Sequence, residues 1–253
     1  MDPFPRAPAR SRTDALDELY ATDLVYRAGC HTLCGDAHCC SFSRHKSRFA
    51  ILGRKHFQEL PLLAGEFEYL EARGLLAQFG EFERKHFELA LPDGRTIHAD
   101  SIVSTRTGCA CDHDTRPVIC RLYPLLPVFE LDGRLAGVER LTIYDELERI
   151  AGQPPSCAID AIPLDQLDLF ARFCRTLASR PEWLFQLAAY RLIKDHAAAG
   201  IATAVARDGK DAFAAFEWGF LRRRLVDKNV VGPQLATLAA QHHEQFGEGF
   251  VLP

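Results

Sequence analysis

Nine cysteines are the feature that most constrains this 253-residue chain, because they are clustered rather than scattered. Four lie within residues 30–40 and three within residues 109–120, and the other two are Cys157 and Cys174. An odd number of thiols in a chain without an export signal argues against a disulfide framework. Clustered reduced thiols indicate metal or redox chemistry instead. We therefore expect two distant segments to meet at a metal centre.

The start of the chain and its charge favour a cytoplasmic protein. The first twelve residues, MDPFPRAPARSR, contain an early acid, two prolines and no apolar stretch, which predicts a disordered tail and not a signal peptide. No apolar run approaches the roughly 18 residues of a membrane span. The net charge of −4 lacks the basic surplus typical of nucleic-acid binders. We expect neither a membrane nor a nucleic-acid partner, and the sequence leaves the oligomeric state open.

Two β-hairpins are predicted, one on each side of the second cysteine cluster, which itself reads as a loop. Each hairpin turns at an Asp-Gly step, at 93–94 and at 132–133, because such a step supplies the positive φ that a tight turn requires. Upstream, the pattern predicts a helix from residue 11 or 13 to Gly29, a short strand over 49–52 and a helix within 57–79 that Gly65 and Gly74 weaken.

The chain from Thr142 onward predicts mostly helices. A short helix over 144–150 is followed by helices over 164–179, from Pro181 to about 198, over 211–226 and over 233–246. The predicted fold class is therefore α+β: a cysteine-rich metal-binding region with two β-hairpins and helices, then a mainly helical C-terminal part. We divide the chain into a disordered tail (1–12), a cysteine-cluster metal-binding domain (13–160) and a helical C-terminal subdomain (161–253), and the last two could pack as one domain.

Short spacing between cysteines lets one loop surround a metal, since thiolates must converge to about 2.3 Å from it. The first cluster is Cys30, Cys34, Cys39 and Cys40, and the second is Cys109, Cys111 and Cys120. His31, His38 and His113 are alternative ligands, although a histidine beside such a loop is more often a solvated neighbour. The triplet Asp112-His113-Asp114 is a secondary candidate for a metal or for acid–base chemistry. Cys174 lies on the apolar face of a predicted helix and is expected to be an inert core residue.

The stretch Arg116-Pro-Val-Ile-Cys120-Arg121-Leu-Tyr-Pro124, together with the upstream cysteines and the Cys39-Cys40 pair, resembles the YkgJ-type cysteine-cluster family. Its members are described as zinc- or iron-chelating, and one branch is similar to a flagellin lysine methylase. The resemblance covers about residues 28–160. The upstream spacing is Cys-x3-Cys-x4-Cys-Cys instead of the family's Cys-x2-Cys-x2-Cys-Cys, and Cys109 and Cys111 compete for a single family position. Which thiols are ligands therefore stays open.

The resemblance implies a metal site and, more weakly, modifying chemistry. It also adds Cys157, which brings the set to eight, the number that two four-cysteine sites would use. The predicted ligands are Cys39, Cys40, Cys111 and Cys120, with Cys30, Cys34, Cys109 and Cys157 completing the set. This surplus over the four ligands of one zinc favours one or two iron–sulfur clusters, most simply [4Fe–4S], with zinc as the alternative.

Arg116 and Arg121 bracket Cys120 and are the predicted cofactor-binding residues, because guanidinium groups near an anionic cluster raise its reduction potential. The alternative is an ordinary salt bridge from Arg116 to Asp112 or Asp114. No catalytic residue stands out. The leading interpretation is an iron–sulfur protein that carries out redox or group-transfer modification, such as methyl transfer, of a peptide or small molecule. The rivals are a non-catalytic zinc module that acts as an interaction scaffold and a chelator that passes metal ions on.

Overall fold

The computed structural model describes residues 10–29, 45, 47–54, 58–105, 112–157 and 159–253. Several residues of the sequence predictions lie outside the described residues: Cys30, His31, Cys34, His38, Cys39, Cys40, Cys109, Cys111 and residues 1–9 of the predicted tail. The described part contains Cys120, Cys157, Cys174, Arg116 and Arg121.

The described residues form an α+β fold with eight α-helices and five strands. The helices are α1 (Arg12–Ala21), α2 (Glu66–Ala72), α3 (Val118–Leu122), α4 (Ile143–Ile150), α5 (Leu167–Ala178), α6 (Pro181–Asp208), α7 (Ala212–Leu221) and α8 (Lys228–Phe246). The strands are β1 (Gln58–Pro61), β2 (Phe82–Ala90), β3 (Thr96–Ser104), β4 (Leu125–Phe129) and β5 (Leu135–Arg140). The C-terminal part is mostly helical, as predicted.

Both predicted hairpins are confirmed. β2 and β3 pair antiparallel, and β1 joins the other side of β3, which gives a three-stranded sheet in the order β1-β3-β2. β4 and β5 form a separate two-stranded sheet. Gly94 and Gly133 have φ angles of 86° and 88° at the two turns, a backbone conformation that side chains with a Cβ rarely adopt.

Two predictions for the N-terminal part are wrong, and a third is confirmed only in part. α1 ends at Ala21 and not at Gly29, because Thr22 turns to an extended conformation. Residues 49–52 form no strand, since the N–H groups of residues 50, 51 and 52 donate to the Glu217 carboxylate, at 2.7 to 3.1 Å, instead of to a neighbouring strand. The prediction of a helix within 57–79 is confirmed in part. α2 lies there between β1 and a 3-10 turn, and it is short because Gly65 and Gly74 take φ angles of 80° and 67° on either side of it.

One hydrophobic cluster joins the two predicted parts of the chain. Leu16 and Leu19 of α1 and Leu122 of α3 pack in the same cluster as Phe173 of α5 and Trp183 of α6. The Trp183 indole N–H also donates to the Ala64 carbonyl oxygen at 3.1 Å, which satisfies the polar atom of a fully buried ring. The cysteine-bearing and helical parts therefore share a core.

Over the described ranges, none of the helices combines the length and the apolar character that crossing a membrane would require.

Candidate metal centre and adjoining cavity

Cys120 is half-buried and lies in the short helix α3, not in the loop that the sequence predicted. The first turn of α3 is held by Glu66, a fully buried residue at the start of α2. Its carboxylate accepts hydrogen bonds of 2.8 Å from the backbone N–H of Val118, the backbone N–H of Leu63 and the Tyr20 hydroxyl. Burial raises the pKa of Glu66, and these three donors oppose that rise. Glu66 therefore fixes the position of the helix that carries Cys120.

Arg121 attaches α3 to the end of α1. Its side chain is almost fully buried, and it donates to the carbonyl oxygens of Thr22 at 2.9 Å and Arg116 at 3.0 Å, and also to that of Asp114. Arg121 thus joins the stretch just before Cys120 to the end of α1, eight residues before the first cysteine cluster.

Arg116 makes a second link to the same stretch. Its guanidinium donates to the Leu24 carbonyl oxygen at 2.7 Å and to that of His113, and it lies 3.5 Å from the Asp23 carboxylate. Within the described residues its carboxylate partner is Asp23, so the alternative salt bridge to Asp112 or Asp114 is wrong. The segment that follows α1 places the Asp23 carboxylate beside the Arg116 guanidinium instead.

Arg121 brings a buried positive charge to the helix that carries Cys120. Among the described residues, no carboxylate lies within ion-pair distance of Arg121. Burial, and next the nearby Arg116, lower the pKa of Arg121. Buried charges are normally compensated by an opposite charge, and a set of metal-bound thiolates is anionic. The donor chemistry at this site therefore fits an anionic thiolate-bound metal group.

The other end of the first cysteine cluster has its own anchor. His45, five residues after Cys40, is buried, and its Nδ1 lies 3.7 Å from the Glu148 carboxylate of α4. The same carboxylate accepts a 2.7 Å hydrogen bond from the Ser156 N–H and another from the Ser156 hydroxyl. Ser156 precedes the buried Cys157, whose carbonyl oxygen accepts from Arg140 at 3.3 Å.

Cys174, His113 and Asp112 lie in three different environments. Cys174 is buried on the apolar face of α5 in the main hydrophobic cluster, which confirms its assignment to the core, and burial raises the pKa of its thiol. His113 is partly exposed, with Nδ1 at 3.4 Å from Asp114 and 4.0 Å from Asp23. The Asp112 N–H donates to the Gln78 side chain at 3.1 Å, which fixes the first described residue after Cys111.

A cavity of about 550 Å³ opens beside Cys120. Its walls come from β1 and β3, from α3, from the start of α4 and from α6 and α7. The wall residues are largely apolar and include Leu60, Ile119, Tyr123, Ile143, Tyr144, Ile193, Ala197, Phe216, Phe220 and Leu225. This combination of volume and apolar walls is typical of a site for a small molecule or a side chain.

A few polar groups interrupt the apolar wall. The Lys194 ammonium is buried, donates to the Arg140 carbonyl oxygen at 2.8 Å and has three carboxylates within 4.0 Å, those of Glu139, Glu146 and Asp195. The Tyr190 hydroxyl donates to the Leu141 carbonyl oxygen at 2.8 Å, and burial raises its pKa. Both groups therefore stabilise the loop between β5 and α4 through hydrogen bonds to its carbonyl oxygens.

Comparisons with protein-family models, with curated proteins and with solved structures found no match for this chain.

The sequence reasoning missed Glu66 and Glu148, the two buried carboxylates that anchor the cysteine-bearing segments. For Glu148 a signal existed, because Thr142 and Asp145 form a capping box that places the start of α4, and a helical turn then puts Glu148 on the buried side with Asp145. For Glu66 the sequence offers no comparable signal, since its partner Val118 is 52 residues away.

Proposed function

We propose that the protein binds an iron–sulfur centre through the thiolates of its two cysteine clusters and Cys157. In this proposal it uses the centre for redox or group-transfer modification of a peptide or small molecule. Eight residues would hold one or two centres: Cys30, Cys34, Cys39, Cys40, Cys109, Cys111, Cys120 and Cys157. When bound, an iron–sulfur centre supplies electron-transfer chemistry that side chains lack.

One observation carries this proposal. The described residues on either side of the first cysteine cluster contact the surroundings of other cysteines: residues 22–24 bind Arg116 and Arg121 around Cys120, and His45 meets the Glu148 carboxylate beside Cys157. Segments about 100 residues apart in sequence are thus joined at both ends of that cluster. This arrangement supports a contact between the first cluster and the segments that carry Cys120 and Cys157.

The two arginines have a defined role in the proposal. Their hydrogen bonds to carbonyl oxygens hold α3 and the stretch after α1 together, so both guanidinium groups are fixed relative to the helix that carries Cys120. Fixed positive charge stabilises the more negative, reduced form of a thiolate-bound cluster and raises its reduction potential. Arg116 and Arg121 are therefore positioning residues that also tune the charge.

In this proposal the substrate binds in the cavity beside Cys120. Cys120 and Tyr123 contribute to its wall, so a molecule inside it would lie next to a predicted ligand of the metal. The largely apolar wall would favour an apolar or aromatic portion of the substrate, and it would exclude water from the reacting group.

Metal and sulfide analysis of protein purified without oxygen tests the metal centre. We expect iron and acid-labile sulfide in the wild type, little of either in Cys120→Ser and Cys40→Ser, and unchanged contents in the matched control Cys174→Ala. Stoichiometric zinc without iron or sulfide would instead support the non-catalytic zinc scaffold. Metal that exchanges freely without sulfide would support the chelator.

A filled cavity tests the substrate site separately. Ala197 lines the cavity, and Ala197→Phe adds an aromatic ring to that space. We expect this variant to bind the apolar fluorescent dye anilinonaphthalene sulfonate less well than the wild type while it keeps its full metal content. The control Ala206→Phe, placed near the C-terminal end of α6 at a position outside the cavity wall, should bind the dye as the wild type does. Equal dye binding by Ala197→Phe and the wild type would exclude this cavity as the binding site.

A further inference from the structure

Four polar side chains lie together on one face of the β2–β3 hairpin. The antiparallel register places His86 opposite Asp100 and Glu88 opposite His98. Residues two apart on a strand point to the same face, so the two residues of β2 and the two of β3 form a compact square. Three of them, His86, Glu88 and His98, are each about half exposed or more, and their ligand atoms all lie within 4.8 Å of one another.

The distances between these atoms suit a tetrahedral metal ion. The Nε2 atom of His86 and the Nδ1 atom of His98 are 3.3 Å apart, and the Glu88 Oε1 atom lies 3.8 and 3.7 Å from them. Ligands at about 2.0–2.1 Å from a tetrahedral zinc ion are about 3.3 Å from one another. The two nitrogens already have this spacing, and the exposed Glu88 side chain needs to move by only about half an ångström.

Asp100 orients the first histidine. Its Oδ1 atom lies 2.8 Å from His86 Nδ1, and its other oxygen accepts a hydrogen bond from Arg84. The carboxylate accepts a hydrogen bond from the protonated Nδ1 of His86, and this leaves Nε2 to face His98 and Glu88. A carboxylate bound to the far nitrogen of a ligating histidine is the usual arrangement in zinc sites.

The position of His98 is fixed as well. Its strand pairs with β2 on one side, and on the other side its backbone N–H donates to the Pro253 carbonyl oxygen at 2.7 Å. The two imidazole rings are stacked, with centroids 5.4 Å apart and an interplanar angle of 23°. Two ring nitrogens and a carboxylate thus lie within 4.8 Å of one another on a rigid hairpin, and a bound metal ion would replace the hydrogen bond between the two nitrogens.

We propose that His86, Glu88 and His98 bind one zinc ion, with Asp100 holding His86 in position. Two imidazoles and a carboxylate are nitrogen and oxygen ligands that zinc accepts, and three protein ligands leave a fourth position for water. The site uses none of the cysteines and does not depend on the proposed iron–sulfur function.

Calorimetric zinc titration of the full chain, purified without oxygen, tests this site. We expect His86→Gln and His98→Gln each to lose one equivalent of bound zinc relative to the wild type. Asp100→Asn should keep that equivalent with affinity about 10- to 100-fold weaker. The exposed control His243→Gln on α8 should retain it. Full retention of zinc by the double variant His86→Gln/His98→Gln would overturn the proposal.

The nitrogen resonances of histidines labelled with ¹⁵N give a second readout. Zinc should shift the Nε2 signal of His86 and the Nδ1 signal of His98, while the Nδ1 signal of His86 stays that of a protonated nitrogen. The signals of His243 should not move. Circular dichroism of each variant checks the fold, which exposed hairpin substitutions should leave intact. Unchanged signals for both hairpin histidines at saturating zinc would also overturn the proposal.

Discussion

The region around α3 and the helical C-terminal part are held in place by different forces. α3 is positioned by buried charged side chains, Glu66 and Arg121, which bond to backbone groups far away in sequence. The contact of α6 with α8 depends instead on apolar side chains such as Phe185, Val231 and Leu235. Directional bonds to a few atoms fail together when one group is removed, whereas apolar contacts weaken in proportion to the lost volume.

The two regions should therefore respond differently to substitution. A conservative change should be costly at a buried charged anchor, because the buried carbonyl and N–H partners lose their bonds. The same degree of change should be mild in the apolar contact, where volume matters more than direction.

Cys120→Ser should have the largest effect. If a metal joins the cysteine segments, its binding energy is folding energy, and its loss should lower the free energy of unfolding by roughly 3–5 kcal/mol. Limited proteolysis with parallel metal analysis measures this, and cleavage should begin in the cysteine-bearing part while the C-terminal helices resist. Cys174→Ala is the control. Unchanged protease resistance with the metal lost would mean that the metal is added to a self-sufficient fold.

Arg121→Lys should be nearly as damaging, despite conserving the charge. One ammonium group cannot reach the carbonyl oxygens of Thr22, Asp114 and Arg116 in the geometry of the guanidinium, so acceptors that are buried or partly buried lose their donors. We expect the free energy of unfolding to fall by about 2–4 kcal/mol in urea titrations. Arg207→Lys, a change at an exposed position of α6, should leave it unchanged. Equal stability of the two variants would contradict the anchoring role.

Phe185→Leu should cost less. Phe185 is fully buried against the apolar residues of α8 and the packed Phe250, and leucine retains most of that contact. The expected loss in the free energy of unfolding is about 1–1.5 kcal/mol by urea titration. A loss as large as that of Arg121→Lys would remove the contrast between the two regions.

His242 should give the smallest effect, and one that depends on pH. This side chain is buried among Phe185, Phe246 and Phe250, and burial lowers its pKa, although its bond to the Leu238 carbonyl opposes this. Because the folded pKa lies below the unfolded value of about 6.5, the neutral ring's contribution is complete above that pH. It is lost as the pH falls through the folded pKa.

The variant His242→Phe removes this titration. The stability difference between the wild type and His242→Phe should therefore change, at the expense of the wild type, by about 1 kcal/mol or less between pH 8 and pH 5. Urea titrations at several pH values measure it, with His243→Phe as the exposed control. A difference that does not vary with pH would show that His242 does not titrate in this range.

Local patterns determined a large part of the fold. The Asp-Gly steps predicted both hairpins, and apolar spacing with Pro181 predicted the helices of the C-terminal part, because turns and helix starts depend on neighbouring residues. Cys174 was assigned to the core for the same reason, since a helical period shows which face is apolar. The position of the turn also sets the register of the hairpin. The sequence position of Gly94 therefore predicts that His86 and His98 lie close together.

Only the tertiary structure decided how the cysteine-bearing segments are anchored. The sequence singled out Arg116 and Arg121 but not their partners, because the carbonyls of Thr22 and Leu24 lie more than 90 residues away and carry no residue-specific signal. The same holds for the cavity beside Cys120, whose walls come from elements that are distant in sequence. Hydrogen bonds to distant carbonyl oxygens and a cavity between distant elements form only when the chain folds. The sequence therefore singles out reactive side chains, and the packing determines what surrounds them.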